Sequence, residues 1–292
     1  MSRPHVLFVG IDGVRFDTLT EQETPALDKV AAAGFLQSLQ VNPSGPTISG
    51  PSWSTMVSGV LPPTHRIFDN DLTDHDLGRY PDFSTLAARA YPGLQTFAAA
   101  DWEPLVSSHS GGPIFAAGGF VPDRNRGKDD TAADWHDGDQ QVADRAVAHL
   151  AGLASEPGSV TFVYQHGVDT AGHREGVGAA YREFIEASDR RLDALLRAVD
   201  ERPDRAAEDW LIIVATDHGH VDEGGHGGDT PEERTAWIAA CGSGVPAGGQ
   251  PLILEQADVA GHVHHVLGLT GQPEPFVGLP FGSRTELAVP TA

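Results

Sequence analysis

Six side chains able to bind a divalent metal stand just beyond three apolar runs. Asp12 follows His5 to Ile11, Asp169 and His173 follow Ser159 to Tyr164, and Asp217 and His218 follow Trp210 to Ala215, with His226 shortly after in a glycine-rich stretch. Imidazole nitrogen and carboxylate oxygen are the ligands that zinc-like ions take, and catalytic sites leave one position open. Two such ions about 4 Å apart can clamp the attacking and leaving oxygens of an in-line displacement at phosphorus. A nucleophile for that displacement is available between Gly45 and Thr55, a Gly- and Pro-rich loop that runs into a short apolar helix and carries Thr47, Ser49, Ser52, Ser54 and Thr55. Ser49 sits where that helix begins and is read as the nucleophile. A serine hydroxyl is weak at neutral pH, metal coordination is one way to activate it, and the chain offers no Gly-x-Ser-x-Gly elbow as another route. Taken singly, Asp12-Gly13, Asp169 to His173 and Asp217-His218-Gly219 also suit ordinary turns. Their joint order is what points to a metal site.

The elements that must position these groups are legible as alternating strands and helices. His5 to Ile11 is a near-continuous apolar run and Trp210 to Ala215 is apolar throughout, the mark of strands buried on both faces. Further strands are read at 35–41, 94–99, 159–164 and 235–240. Helices are read after Thr24-Pro25, over 51–57, 83–90, 140–153, 179–199 and 257–267. This alternation predicts an α/β fold, doubly wound, with a mainly parallel sheet flanked by helices. In such a sheet ligands bind beyond the carboxyl ends of the strands, so the acidic and histidine groups should converge there. No internal repeat or break stands out, and residues 1–292 read as one metallohydrolase domain. Residues 101–137, rich in Gly, Asp and His, read as an irregular excursion over the active face.

Composition narrows the partners. A formal charge of −22 argues against nucleic acid or an anionic membrane as a broad binding surface. Excess acid of this kind keeps a protein soluble, and bound cations can still reverse the field locally for a small anionic substrate. No apolar run approaches the roughly 20 residues of a membrane span. Met1-Ser2-Arg3-Pro4 leads straight into a strand and Cys241 is the single cysteine, so a cytoplasmic location is expected.

Several stretches, in this order, carry a resemblance to a known group: Gly10-Ile11-Asp12-Gly13, Pro46 to Ser52, Ser58 to Ile67, Asp169 to His173, Thr216 to Gly219, and Gly225-His226-Gly227. They resemble the alkaline phosphatase superfamily and, within it, the nucleotide pyrophosphatase/phosphodiesterase-like branch. The resemblance implies an alkaline-phosphatase-like fold, here without room for a large cap domain. It implies two zinc ions per chain, with manganese or another divalent metal as the alternative. Asp169, His173 and His226 would hold one ion, and Asp12, Asp217 and His218 the other. Ser49 would sit between them as ligand and nucleophile, where the branch usually has threonine, and would form a covalent phosphoryl or nucleotidyl intermediate that water later hydrolyses.

The same register shows departures. Ser52 stands where the branch carries an asparagine that stabilises the transferring group. Asn70, in Phe68-Asp69-Asn70, matches a second asparagine and is a candidate contributor, as are backbone N–H groups from Gly50 onward. Gly50 replaces a phenylalanine that often walls the leaving-group side. His166 and His220 are read as neighbours of the ligands, and His262, His264 and His265 as surface residues of a terminal helix. Trp53 and Trp237 read as core, while Trp102 and Trp135 flank the excursion. Arg124, Arg126 and Lys128 form its basic cluster, a solvated loop or a clamp on a second phosphate. The expected substrate is a small phosphorylated molecule, such as a nucleotide, cleaved as a diester or pyrophosphate. A phosphomonoesterase or phosphonate hydrolase on the same scaffold, and a metal-binding protein without catalysis, are the alternatives. A formylglycine sulfatase would need an arginine that Ser49-Gly50-Pro51-Ser52-Trp53 lacks.

Overall fold

The computed structural model describes residues 4–123, 131–246 and 252–287. Six strands form one sheet: β1 (His5–Ile11), β2 (Gly34–Gln40), β3 (Gln95–Ala100), β4 (Ser159–Gln165), β5 (Trp210–Ala215) and β6 (Thr235–Gly242). Their order is β2-β6-β5-β1-β4-β3. The run β5-β1-β4-β3 is parallel, while β6 lies antiparallel to both β5 and β2. The helices, in chain order, are α1 (Phe16–Leu19), α2 (Pro25–Ala33), α3 (Ser49–Ser58), α4 (Pro62–His65) and α5 (Phe83–Ala90), then α6 (Ala132–Gly152), α7 (Gly167–Glu175), α8 (Ala179–Asp200), α9 (Pro231–Arg234) and α10 (Asp258–Leu267).

Alternate residues of β1 feed opposite cores, as a strand covered on both faces must. Val6 and Phe8 join Trp53, Met56, Phe83 and Val263 on the face carrying α3, α5 and α10. Leu7 and Val9 join Leu27, Val142, Leu192 and Leu195 on the face carrying α2, α6 and α8. The expected doubly wound α/β architecture is therefore present, closed on one side by the antiparallel strands. Among the described residues no helix is long and apolar enough to cross a membrane.

Two expectations change. The excursion is shorter than 101–137, because α6 begins at Ala132 under a capping box. Thr131 Oγ1 accepts from the Asp134 backbone N–H at 3.3 Å, and the Asp134 carboxylate caps Thr131 in return. From 101 to 123 the chain is laced rather than loose: Ile114 and Phe115 donate to the carbonyls of Pro104 and Leu105, and Phe120 pairs with β3. Arg124, Arg126 and Lys128 lie outside the described residues.

The terminal-helix histidines are also placed differently. His265 is exposed, but His262 and His264 are buried because residues 276–281 fold back over α10. His262 stacks on Phe281 and His264 on Phe276, with ring centroids 4.4 and 4.9 Å apart. Burial holds both rings neutral, each lowered to about 4. The unfolded chain takes up those protons near pH 6.5 and the folded chain only near 4, so their contribution to stability is full above pH 6.5 and lost as pH falls. Each group should steepen the loss by about 1.4 kcal/mol per pH unit across that window. Urea unfolding of His264→Leu, measured from pH 7.5 to 4.5, should show a slope shallower by about that amount.

Candidate active site

The three central strands β5, β1 and β4 end level with one another, Gly10 lying beside Ala215 and Tyr164 in register. The residues that follow them therefore meet at one edge. Asp12 continues β1, and Asp217 and His218 follow β5. Asp169 and His173 sit one turn apart on the helix α7. Asp139 accepts the backbone N–H groups of His166 and Gly167 at 2.8 and 3.1 Å, placing a buried carboxylate at the N-terminus of α7. Arg191 lies 3.8 Å from that carboxylate. Sequence reasoning missed both residues, since their partners are remote in the chain.

Helix α3 brings Ser49 over the same edge. It lies across β1 at Gly10, where an added Cβ would come 2.6 Å from the Trp53 ring, so only glycine lets the indole in. Trp53 is fully buried and its Nε1 donates to Asp12 Oδ2 at 3.2 Å. Tyr164 Oη donates to the same oxygen. With Oδ2 engaged, Asp12 Oδ1 is buried and has no hydrogen-bond partner, and neither has Asp217 Oδ2. Asp217 Oδ1 accepts from the backbone N–H groups of Gly13 and His218, both at 3.0 Å. His218 Nε2 lies 3.6 Å from Asp12 Oδ1 and 3.2 Å from Asp217 Oδ2, and Ser49 Oγ is 3.5 Å from the same nitrogen. Two orphaned carboxylate oxygens and one hydroxyl thus each lie within 3.6 Å of a single imidazole nitrogen, and Asp169 adjoins Asp12 and His218 closely enough to share an ion with them. Buried polar atoms are rarely left unpaired, and this donor set is the one a divalent cation satisfies.

A second group adjoins it. Asp169 lies 3.5 Å from His173 Nε2 and 3.4 Å from His226 Nε2, and those two nitrogens are 2.9 Å apart. His226 Nδ1 bonds to the Thr47 carbonyl at 2.7 Å and His218 Nδ1 to the Gly219 carbonyl at 3.1 Å. A carbonyl only accepts, so each Nδ1 carries the hydrogen and each Nε2 keeps a lone pair for a ligand. His173 is exposed and His226 half-buried, so this group opens to solvent, while Asp12, Asp217 and His218 are sealed.

The field here is strongly anionic. Burial, and then the Asp12 carboxylate, push Asp217 well above the usual carboxylate range. Burial opposes ionisation of Asp169 too, but the bond from His220 and the neighbouring His226 and His166 rings outweigh it and hold Asp169 well below that range. At His166, burial disfavours the charge, yet the Asp12 and Asp169 carboxylates raise it to about 9. A cation between such carboxylates relieves their repulsion.

The remaining candidates are placed as follows. Asn70 is exposed, and its Oδ1 accepts the Gly50 backbone N–H at 2.8 Å. That N–H, expected to be open to phosphate, is therefore occupied. The close approach also accounts for Gly50: an added Cβ would lie 2.3 Å from the Asp69 carbonyl, so the phenylalanine of the related branch has no room. Ser52 is not brought to the open face. Its Oγ is sealed from solvent, without a hydrogen-bond partner, and the residue lines a small void with Val41, Pro62 and Gln256. Trp135, on α6, packs against the His166 ring at 4.5 Å.

A family model for type I phosphodiesterase / nucleotide pyrophosphatase matches residues 6–233. The ectonucleotide pyrophosphatase/phosphodiesterase C27A7.3 of Caenorhabditis elegans is 24% identical over 235 residues, 75% of this chain but only 28% of that protein's length. Among solved structures, murine ectonucleotide pyrophosphatase/phosphodiesterase 5 matches with a TM-score of 0.66 at 18% identity, covering 92% of this chain and 96% of that one. An inactive form of the same mouse protein has been solved in complex with AMP. A putative sulfatase from Bacteroides thetaiotaomicron matches with a TM-score of 0.74 at 14% identity, covering 96% of this chain and 74% of that one. At these identities the structural likeness speaks for the alkaline-phosphatase-like fold.

Proposed function

The chain belongs to the type I phosphodiesterase / nucleotide pyrophosphatase family, and from that premise we propose that it hydrolyses a phosphodiester or nucleotide pyrophosphate through a covalent intermediate on Ser49. Asp12, Asp217 and His218 would hold one divalent ion, and Asp169, His173 and His226 the other, zinc being the first choice for this donor set. The observation that carries the reading is that Asp12 Oδ1 and Asp217 Oδ2, both buried without a hydrogen-bond partner, lie 3.6 and 3.2 Å from His218 Nε2, the nitrogen that Ser49 Oγ also approaches. When bound, the ions would lower the pKa of the Ser49 hydroxyl and offset charge on the phosphoryl oxygens. Ser49 Oγ forms the new bond to phosphorus opposite the leaving oxygen, its proton passing to solvent. The P–O bond to the leaving group breaks and that oxygen is protonated by water. A second water then attacks the serine phosphodiester, restoring Ser49 and releasing the phosphorylated product. Asn70, at the start of α3, has an amide NH₂ to offer the substrate, whereas Ser52 would have to leave its buried position to do so.

A diester or pyrophosphate is favoured over a monoester because Arg15 and Arg66, the arginines nearest by sequence to Asp12 and to the nucleophile loop, are already engaged. Arg15 is buried and held by Asp17 and Asp222, and the exposed Arg66 lies 3.8 Å from Asp76. A monoester dianion wants an added cation that neither supplies. Sulfate-ester chemistry is disfavoured, because buried Trp53 occupies the position of the arginine in the sulfatase signature. AMP in the mouse relative makes a nucleotide the leading substrate class. The test is a matched set of aryl monoester, aryl diester and nucleotidyl aryl ester substrates with added zinc or manganese. The diester or nucleotidyl ester should exceed the monoester in kcat/KM by about tenfold or more. Preference for the monoester would overturn the assignment of reaction class.

A further inference from the structure

His220 lies close enough to Asp169, His173 and His226 to serve as another metal ligand. Its hydrogen bonds assign it a different task. The Gly225 backbone N–H donates to its Nδ1 at 3.0 Å, so that nitrogen carries no hydrogen. In the neutral ring the hydrogen is then on Nε2, which lies 2.9 Å from Asp169 Oδ1. A protonated Nε2 donates to the carboxylate and has no lone pair for an ion. This is the reverse of His218 and His226, whose Nδ1 atoms carry the hydrogen. Two tautomers thus coexist in one cluster, and only one of them suits a ligand.

The ring is held in that orientation. It is fully buried and meets Tyr181 edge-on at 5.8 Å. It lies so close to α7 that a Cβ added to Gly172 would come 2.7 Å from its Cε1. We propose that His220 is a positioning residue that ties the Asp169 carboxylate on α7 to the Gly224–Gly225 turn leading into His226. One ring thereby fixes two ligands of the solvent-facing metal site relative to each other, on elements whose backbones also meet where the Val177 N–H donates to the Asp222 carbonyl at 3.0 Å. With Asp169 Oδ1 anchored, Oδ2 is left towards His173, 3.5 Å away. This inference rests on the two-metal reading above. Partners of this kind typically change metal affinity 10- to 100-fold when lost.

The test uses the full chain, with zinc affinity measured by chelator competition. Glutamine can place an amide NH₂ near the position of Nε2, whereas asparagine is too short to reach Asp169. His220→Asn should therefore weaken one of two zinc sites by about 10- to 100-fold, and His220→Gln should retain most of the affinity. The visible spectrum of the cobalt(II)-loaded protein should be unchanged in His220→Gln, since no ligand is removed. Equal loss in both variants with a shifted cobalt spectrum would make His220 a ligand and overturn the proposal, as would unchanged affinity in His220→Asn. Should His220→Asn fail to fold, ¹⁵N spectra of the wild-type imidazoles decide the matter alone. His220 should be the Nε2–H tautomer with and without zinc, and an Nδ1–H form or a zinc-shifted Nε2 would refute it. Wild-type protein that takes up no second zinc would instead count against the two-metal reading itself.

Discussion

Ser49→Ala should reduce turnover of the preferred diester by at least about 10³-fold, since removing a covalent nucleophile commonly costs that much or more. The change is local. Ser49 is buried, its side chain caps nothing at the start of α3, and the extended residue before that helix is Ile48. Ala at this position keeps the helix and removes only the oxygen 3.5 Å from His218 Nε2. Metal content and thermal stability should therefore stay near wild type, separating loss of chemistry from loss of structure. Acid-quenched wild-type protein should carry a phosphoryl or nucleotidyl adduct on the peptide containing Ser49, detectable by mass spectrometry and absent from the variant. Full activity in the variant would leave direct attack by water as the mechanism and remove Ser49 from its assigned role.

Stripping the protein of divalent metal should abolish that turnover and lower its stability together. Asp12, Asp169 and Asp217 are buried within one cluster, and a buried charge without a counter-ion is costly. An ion present at about a thousand times its Kd adds about 4 kcal/mol to folding, and losing that amount lowers Tm by roughly 10 °C in a chain of this size. Elemental analysis before chelation should give close to two transition-metal ions per chain, with activity and Tm returning on addition of zinc or manganese. A protein that holds no such ion and gains nothing from it would sink the mechanism. An ion count near one would restrict it to a single site.

These expectations show how much of the site could be read without coordinates. Asp12, Asp217 and His218 were legible because each closely follows a short, largely apolar run, the pattern of a strand buried on both faces. Asp169 and His173 were legible as ligands but not as neighbours on a helix. Residues 167–175 are rich in small and polar side chains, and what starts α7 is Asp139, remote in sequence. The early start of α6 was visible in principle, since Thr131-Ala132-Ala133-Asp134 is a capping pattern. Burial of His262 and His264 had no local signal, because the segment that covers them comes later in the chain.

The amino-acid sequence by itself therefore determined the alternation of strands and helices, the ligand types at the strand ends and the hydroxyl set before them. Each of these follows from local pattern and residue chemistry. Only the tertiary structure decided which atoms are free to act. Trp53 and Tyr164 occupy one oxygen of Asp12 and leave the other, Asn70 takes the Gly50 N–H, and packing seals Ser52. Thr47 and Gly219 turn His226 and His218 into ligands, while Gly225 turns His220 into a donor. Residue type says what a side chain can do. The partner that takes its other atom, often brought in from a distant part of the chain, sets what it does.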